Sequence, residues 1–256
     1  MSAAPSASAS APCAPREPAL LGQTVVVVGG TAGIGLETAR RARIEGASVI
    51  LTGRAAERLQ SAAKELGATS TAAFDATDPA AVEQFFRGLP KSIDHVMVTA
   101  GSPHYGRLAD IELADARREV DGHLMMVLQV ARQAARRVRP RGALLFMTGT
   151  AGRHPAAGLG FASTITAALP GLAGQLAIEL APVRVNLIAA GFVDTGLSAT
   201  LLGGELENRR AQLRKTLPIR RVVGPGDVAA LAVHIMTNEA LTGGTYDVDG
   251  GQQLVE

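Results

Sequence analysis

Four consecutive valines, Val25 to Val28, run without interruption into Gly29-Gly30-Thr31-Ala32-Gly33-Ile34-Gly35, and apolar residues at helical spacing (Leu36, Ala39, Ala42) follow at once. A continuous β-branched run is the mark of a strand buried on both faces of a parallel sheet. A glycine turn that opens directly into a helix leaves the first helical N–H groups aimed at an anion. Gly29 permits the tight turn, Gly33 lets the backbone approach a pyrophosphate with no Cβ in the way, and Gly35 allows the helix to pack closely on the strand. Glycines that merely turned the chain would not require strand, loop and helix in this order. The segment reads as a phosphate-binding loop.

The rest of the chain repeats the alternation. Strands are expected at 24–29, 48–52, 69–74, 95–99, 143–148, 184–189 and 245–248, and helices at 34–45, 57–66, 79–88, 113–138, 160–180, 205–216 and 225–236. Asp78 before Pro79 offers an N-cap with proline in the first turn, and Pro225-Gly226-Asp227 offers a similar helix start. These elements predict an α/β fold: a Rossmann-type, doubly wound, seven-stranded parallel sheet in three α/β/α layers, forming a single domain over residues 20–256.

Composition narrows the partners. The formal charge is only +2, and the basic residues, 22 of 25 of them Arg, are scattered rather than run together, which argues against nucleic acid or a membrane surface. Residues 1–19 form an Ala/Ser/Pro stretch without the basic start and apolar run of a secretory signal, and read as a disordered tail. The one cysteine, Cys13, lies there and supports neither a disulfide framework nor a thiolate metal site. The histidines His95, His104, His123, His154 and His234 lack ligand spacing, so no metal is expected. No run of 18 uninterrupted apolar residues occurs, and a cytoplasmic location is the simplest expectation.

Four segments in order carry a resemblance: VVGGTAGIG at 27–35, Thr99-Ala100-Gly101, VRVNLIAAGFVDT at 183–195 and TGGTYDVDGG at 242–251. With its Gly-x3-Gly-x-Gly spacing the chain resembles the short-chain dehydrogenase/reductase family over residues 22–251. The second strand ends Leu51-Thr52-Gly53-Arg54, with Gly53 where a carboxylate would hold the ribose of NAD(H) and a guanidinium beside it that can pair with a phosphate. NADP(H) is therefore the expected cofactor, with Thr31 as a further donor. The resemblance adds Asp75 and Ala76 at the adenine, Ala100 and Gly101 beside the ribose, and Val193 and Thr195 at the carboxamide and phosphates. Gly29, Gly33, Ile34 and Gly35 form the phosphate loop itself.

The family's catalytic groups are absent. It reduces carbonyls with a tyrosine acid, a lysine four residues on, a serine and an asparagine, yet the only tyrosines here are Tyr105 and Tyr246 and the only lysines Lys64, Lys91 and Lys215. No Tyr-x3-Lys can be written. Alignment puts Phe161 at the tyrosine, Ile165 at the lysine, Gly149 at the serine and His123 at the asparagine. His154, Tyr105 and His123 remain as candidate proton donors, each with a plain alternative role as a loop, wall or space-filling residue. Two functions stay open. One is an NADP(H)-dependent reductase of a small organic substrate such as an imine or activated alkene, and the other a non-catalytic NADP(H)-binding sensor or scaffold. By resemblance, helices 113–138 and 160–180 would form the interface of a homodimer or homotetramer.

Overall fold

The computed structural model describes residues 16–255, so Cys13 and residues 1–15 of the expected tail lie outside the described residues. Residues 16–19, expected as part of the tail, lie against Glu45: Arg16 donates to its carboxylate at 2.7 Å and the Ala19 amide at 2.9 Å.

Strand β1 (Thr24–Val28) is followed by α1 (Gly33–Ile44), β2 (Ser48–Gly53), α2 (Ala56–Leu66), β3 (Ser70–Ala73), α3 (Pro79–Gly88) and β4 (Ile93–Val98). Next come α4 (Leu113–Val120), a π-helical turn at Asp121–Met125, α5 (Met126–Ala134), β5 (Val138–Gly149) and α6 (Ala162–Glu179). The chain ends with β6 (Arg184–Ala190), α7 (Gly196–Leu202), α8 (Leu206–Thr216), α9 (Pro225–Thr237) and β7 (Thr245–Val248). One sheet holds all seven strands in the order β3-β2-β1-β4-β5-β6-β7, every pair parallel.

The four valines of β1 explain the three layers. Val26 and Val28 point into a core filled by Val82 and Phe86 of α3, Val127 of α5 and Leu169 of α6. Val25 and Val27 point the other way, against Ala39 of α1, Leu59 of α2 and Val228 of α9. A strand whose side chains alternate between two apolar layers has no polar face to show. The strand order reverses between β1 and β4, and the cleft that opens there, beyond the carboxyl ends of the strands, is where such sheets take ligands.

At the opposite, amino ends of the strands, buried polar groups are paired. Arg184, at the start of β6, donates to the carbonyls of Arg141, Ile235, Met236, Asn238 and Leu241 at 2.7–3.2 Å. It thereby caps the buried carbonyls of Ile235 and Met236 at the end of α9 with a cation. His95 accepts from the Ala143 amide at 3.2 Å and shares a 2.7 Å hydrogen bond with Gln23. Burial, with lesser contributions from Arg184 and Arg139, lowers its pKa to about 3, so the ring is neutral.

Asp78 caps α3 as expected, accepting from Ala80 and Ala81. Asp227 instead reaches back to the Gly224 amide at 2.9 Å, starting α9 at Pro225. The helix expected at 113–138 is corrected: a π turn interrupts it and it ends at Ala134. Val138 belongs to β5, where it pairs with Ile93 before a register shift. Arg-Pro-Arg-Gly at 139–142 makes that irregular passage, with Arg141 at φ 69° and Gly142 so close to Asp94 O that a Cβ would stand 2.2 Å from it. Helix α7 was not anticipated from the sequence. Among the described residues no helix is long and apolar enough to cross a membrane, and no group of three or more His, Cys, Asp or Glu could hold a metal ion.

Candidate functional site in the sheet cleft

The glycine turn is held by its neighbours. The amides of Gly29 and Gly30 donate to Thr52 O at 3.2 and 3.0 Å, and Thr99 at the end of β4 donates its hydroxyl to Gly29 O at 3.0 Å. Gly29 sits at φ +94°, and a Cβ there would stand 2.7 Å from Ala100 N. A Cβ on Gly35 would lie 2.3 Å from Gly29 O and 2.4 Å from Thr99 Oγ1. Both positions are closed to any side chain, which brings the start of α1 against β1 and β4. Gly33, at φ +52°, meets nothing closer than Thr195 Cγ2 at 3.4 Å, so its surface toward the cleft is bare backbone.

All twelve residues expected around a cofactor border this one cleft. Thr31, Gly53 and Arg54 lie at one end, joined by Arg58, which the sequence reading missed although it stands four residues after Arg54 at the start of α2. Arg54 and Arg58 are both exposed. Asp75 and Ala76 follow the end of β3, and the Thr77 amide, supported by its hydroxyl and by Arg54, holds the Asp75 carboxyl below its ordinary value. Ala100 and Gly101 continue β4. Val193 is buried, and Thr195 caps α7 by accepting from the Ser198 amide at 3.3 Å. Asp194 between them takes a 2.6 Å ion pair from Arg210, which ties α8 to the strand end.

The other end of the cleft carries the candidate catalytic positions. Gly149 ends β5, and a Cβ there would meet Thr166 Cγ2 at 3.3 Å. Phe161 is not among the cleft residues: it is the residue before α6 and packs on the hydrophobic core. Ile165 is 2 % exposed and belongs to the same core, touching only the inner edge of the cleft. Of α6, Ala162, Ile165, Thr166 and Leu169 border the cleft, and Ala162 and Thr166 are a pair four residues apart among them. Ala162 brings a methyl group to the cleft, and Thr166 a hydroxyl that donates back to Ala162 O at 3.0 Å.

The three candidate donors differ in setting. His154 is exposed in the loop after β5, and no described residue hydrogen-bonds to it. Tyr105 is half exposed, and burial of its phenol followed by the charge of Glu119 raises its pKa, which makes it a poorer acid. His123 sits in the π turn with its Nδ1 3.0 Å from Glu119 O. Because a carbonyl only accepts, Nδ1 carries the proton and Nε2 is left toward Gly101. Glu119, buried behind it, was missed from sequence; its only signal was the Glu-x3-His spacing.

A parallel, doubly wound sheet with a glycine cradle at its switch point defines a dinucleotide-binding protein of the Rossmann class. The chain belongs to the short-chain dehydrogenase/reductase family: the family described as enoyl-(acyl carrier protein) reductase matches residues 28–253. It is 30% identical over 241 residues to the cyclic-di-GMP-binding biofilm dispersal mediator protein of Escherichia coli, covering 91% of this chain and 98% of that protein. It is 29% identical to the NADP-dependent (R)-specific alcohol dehydrogenase of Lentilactobacillus kefiri, covering 91% of this chain and 97% of that protein. Among solved structures, BdcA in complex with NADPH superposes with a TM-score of 0.81 at 26% identity, covering 91% of this chain and 95% of that one.

Proposed function

We propose that this protein is an NADP(H)-dependent reductase of a small organic substrate, an imine or an activated alkene, working without the family's Ser-Tyr-Lys machinery. The observation that carries the cofactor choice is at Gly53: a Cβ there would stand 2.4 Å from Thr31 Cγ2, so the place of a ribose-binding carboxylate is filled by the Thr31 methyl. Arg54 and Arg58 border the same end of the cleft and offer a 2'-phosphate two guanidinium groups, each able to pair bidentately. Relatives that use NADP or bind NADPH support this reading.

In this reading Gly29, Gly33, Ile34 and Gly35 cradle the pyrophosphate, Thr31 and Arg54 hold the 2'-phosphate, and Asp75 and Ala76 flank the adenine. Ala100 and Gly101 lie along the ribose, and Val193 and Thr195 meet the carboxamide and phosphates. The bound reduced cofactor supplies a hydride to the substrate. The chain positions the acceptor and supplies any proton from His154, Tyr105 or His123. Ala162 and Thr166 leave the neighbouring wall small and uncharged, which suits an acceptor that needs no activated phenol. Exposed Leu113, Met125 and Ile178 on α4, the π turn and α6 are available to a homodimer or homotetramer.

The second reading, a non-catalytic NADP(H)-binding sensor or scaffold, draws on the relative from Escherichia coli, a cyclic-di-GMP-binding biofilm dispersal mediator protein. Fluorescence titration with NADPH and NADH, followed by carbonyl, imine and enone acceptors, separates the two. Tight NADPH binding with consumption supports the reductase, tight binding without consumption supports the sensor, and binding of neither cofactor overturns both.

A further inference from the structure

We propose that Glu119 and His123 form an acid–base pair on the wall of the cleft, with His123 Nε2 delivering the proton to a neutral acceptor and Glu119 as its positioning residue. The proposal rests on the reductase reading and selects one donor from the three.

Glu119 is 5 % exposed, and its Oε2 is buried without a hydrogen-bond partner. A buried carboxylate oxygen left unpaired is costly, and such groups persist where they serve a neighbouring charge. The group nearest to it in the ion-pair geometry is His123, whose Nδ1 is 3.8 Å from that oxygen and 3.0 Å from the backbone carbonyl of the same residue. The imidazole is thus fixed from behind at Nδ1 by one residue. Its other nitrogen opens on Gly101, at φ +107°, where a Cβ would stand 3.4 Å from Nε2. Glycine keeps the space before that nitrogen clear.

The π turn makes this alignment. An insertion of one residue in a helix turns the following side chains by a fraction of a turn, and such bulges concentrate at functional sites. Here both residues border the cleft, with the Glu119 side chain the more deeply buried of the two. The surrounding charges do not replace Glu119: Arg118 on the same helix is paired with Asp115, Asp121 is exposed, and Tyr105 and His104 approach from the loop after β4. A carboxylate behind an imidazole stabilises the imidazolium and holds its tautomer.

With a neutral enone the step balances. Hydride adds to the β-carbon, the electron pair of the alkene moves through to the carbonyl oxygen, and that oxygen takes the proton from Nε2. The proton is the second one of the imidazolium: its Nε2–H bond breaks, an enol O–H forms, the ring returns to the neutral Nδ1–H tautomer, and solvent restores the imidazolium. A permanent iminium cation accepts the hydride alone and becomes a neutral amine, so it needs no proton.

The test uses the full chain with two acceptors, cyclohex-2-enone and N-methyl-3,4-dihydroisoquinolinium. His123→Asn is expected to lose about 100-fold in kcat on the enone, the scale of one general acid, and Glu119→Gln a smaller factor, with much less lost on the cation by either. Equal losses on both acceptors overturn the pair. Site-resolved labelling with diethyl pyrocarbonate, which acylates unprotonated imidazole, tests it without turnover. At pH 6 His123 is expected to be acylated at Nε2, and faster in Glu119→Gln than in the wild type. Buried His95 must stay unlabelled as the sign of an intact fold. An unlabelled His123, or a rate unaffected by Glu119→Gln in folded protein, overturns the proposal. If the wild type reduces neither acceptor, the reductase reading fails, while the labelling still decides the pair.

Discussion

The Thr31 methyl occupies the volume that a side chain at position 53 would need, with Cγ2 2.4 Å from the place of a Gly53 Cβ. Gly53 and Thr31 are therefore a matched pair, and in the proposed reading their contact favours NADP(H). Gly53→Asp alone is expected to weaken binding of both cofactors, because the new side chain must displace the Thr31 side chain within the glycine loop. Gly53→Asp with Thr31→Gly is expected to restore binding and move the preference toward NADH. Equilibrium titration of the two variants with both cofactors checks the order.

Arg54→Ala removes a guanidinium from the same end of the cleft. A hydrogen bond to a charged group contributes about 1.5–3 kcal/mol, so NADPH affinity is expected to fall about 10- to 100-fold. NADH affinity is expected to change far less. A parallel loss for both cofactors would place the 2'-phosphate elsewhere.

Gly35→Ala tests the cradle itself. Its Cβ would meet Gly29 O at 2.3 Å and Thr99 Oγ1 at 2.4 Å, and the first, a backbone carbonyl of the turn, cannot move without opening the loop. The strain of such an insertion is about 1–3 kcal/mol. The expected outcome is a folded protein with cofactor binding lost, read by circular dichroism and fluorescence titration together.

Arg184 supports the far end of the sheet. Its replacement by Met takes the guanidinium from the Arg141, Ile235 and Met236 carbonyls, while Asn238 O keeps the Leu241 amide and Leu241 O keeps Asn186 Nδ2. At about 1–3 kcal/mol for an unsatisfied buried group, the loss is expected to reach several kcal/mol even with partial water access. Urea unfolding should show the midpoint fall with the slope unchanged. Arg184→Lys is expected to recover little, since one ammonium cannot span the five acceptors.

His95 gives stability a pH dependence with a definite sign. Its folded pKa is about 3, against 6.5 for the free side chain, so the unfolded chain binds the extra proton. Stability from this group is complete above pH 6.5 and is lost as pH falls from there toward 3, by about 1.4 kcal/mol per unit for one proton. Urea unfolding at pH 7 and pH 5 measures the slope, and His95→Gln is expected to flatten it.

Much of this was written in local sequence. Val25 to Val28 announced a strand buried on both faces because every side chain in it is apolar, and the structure sends alternate valines to opposite layers. The glycine loop was equally legible, since a strand, a turn without Cβ atoms and a helix in that order satisfy a backbone demand that neighbours in sequence express by themselves. The absence of any Tyr-x3-Lys pair needed only a count of residues.

What faces the cleft was decided elsewhere. Phe161 lies outside the cleft while Ala162, Ile165 and Thr166 border it, because the phase of α6 depends on where the chain leaves β5 and begins to turn, and one residue rotates a helix by about 100°. Glu119 and His123 were four apart on paper, yet a π turn and the packing of the loop after β4 determine that one is buried and the other opens on Gly101. Thr31 and Gly53 lie on different elements, and only the sheet brings them into contact. The sequence by itself determined the sheet, the anion-binding turn and the missing phenol and ammonium, each a property of neighbouring residues or of composition. Tertiary structure decided the cleft-facing pairs, because a side chain's direction is set by the phase of its helix and by residues far away in the chain.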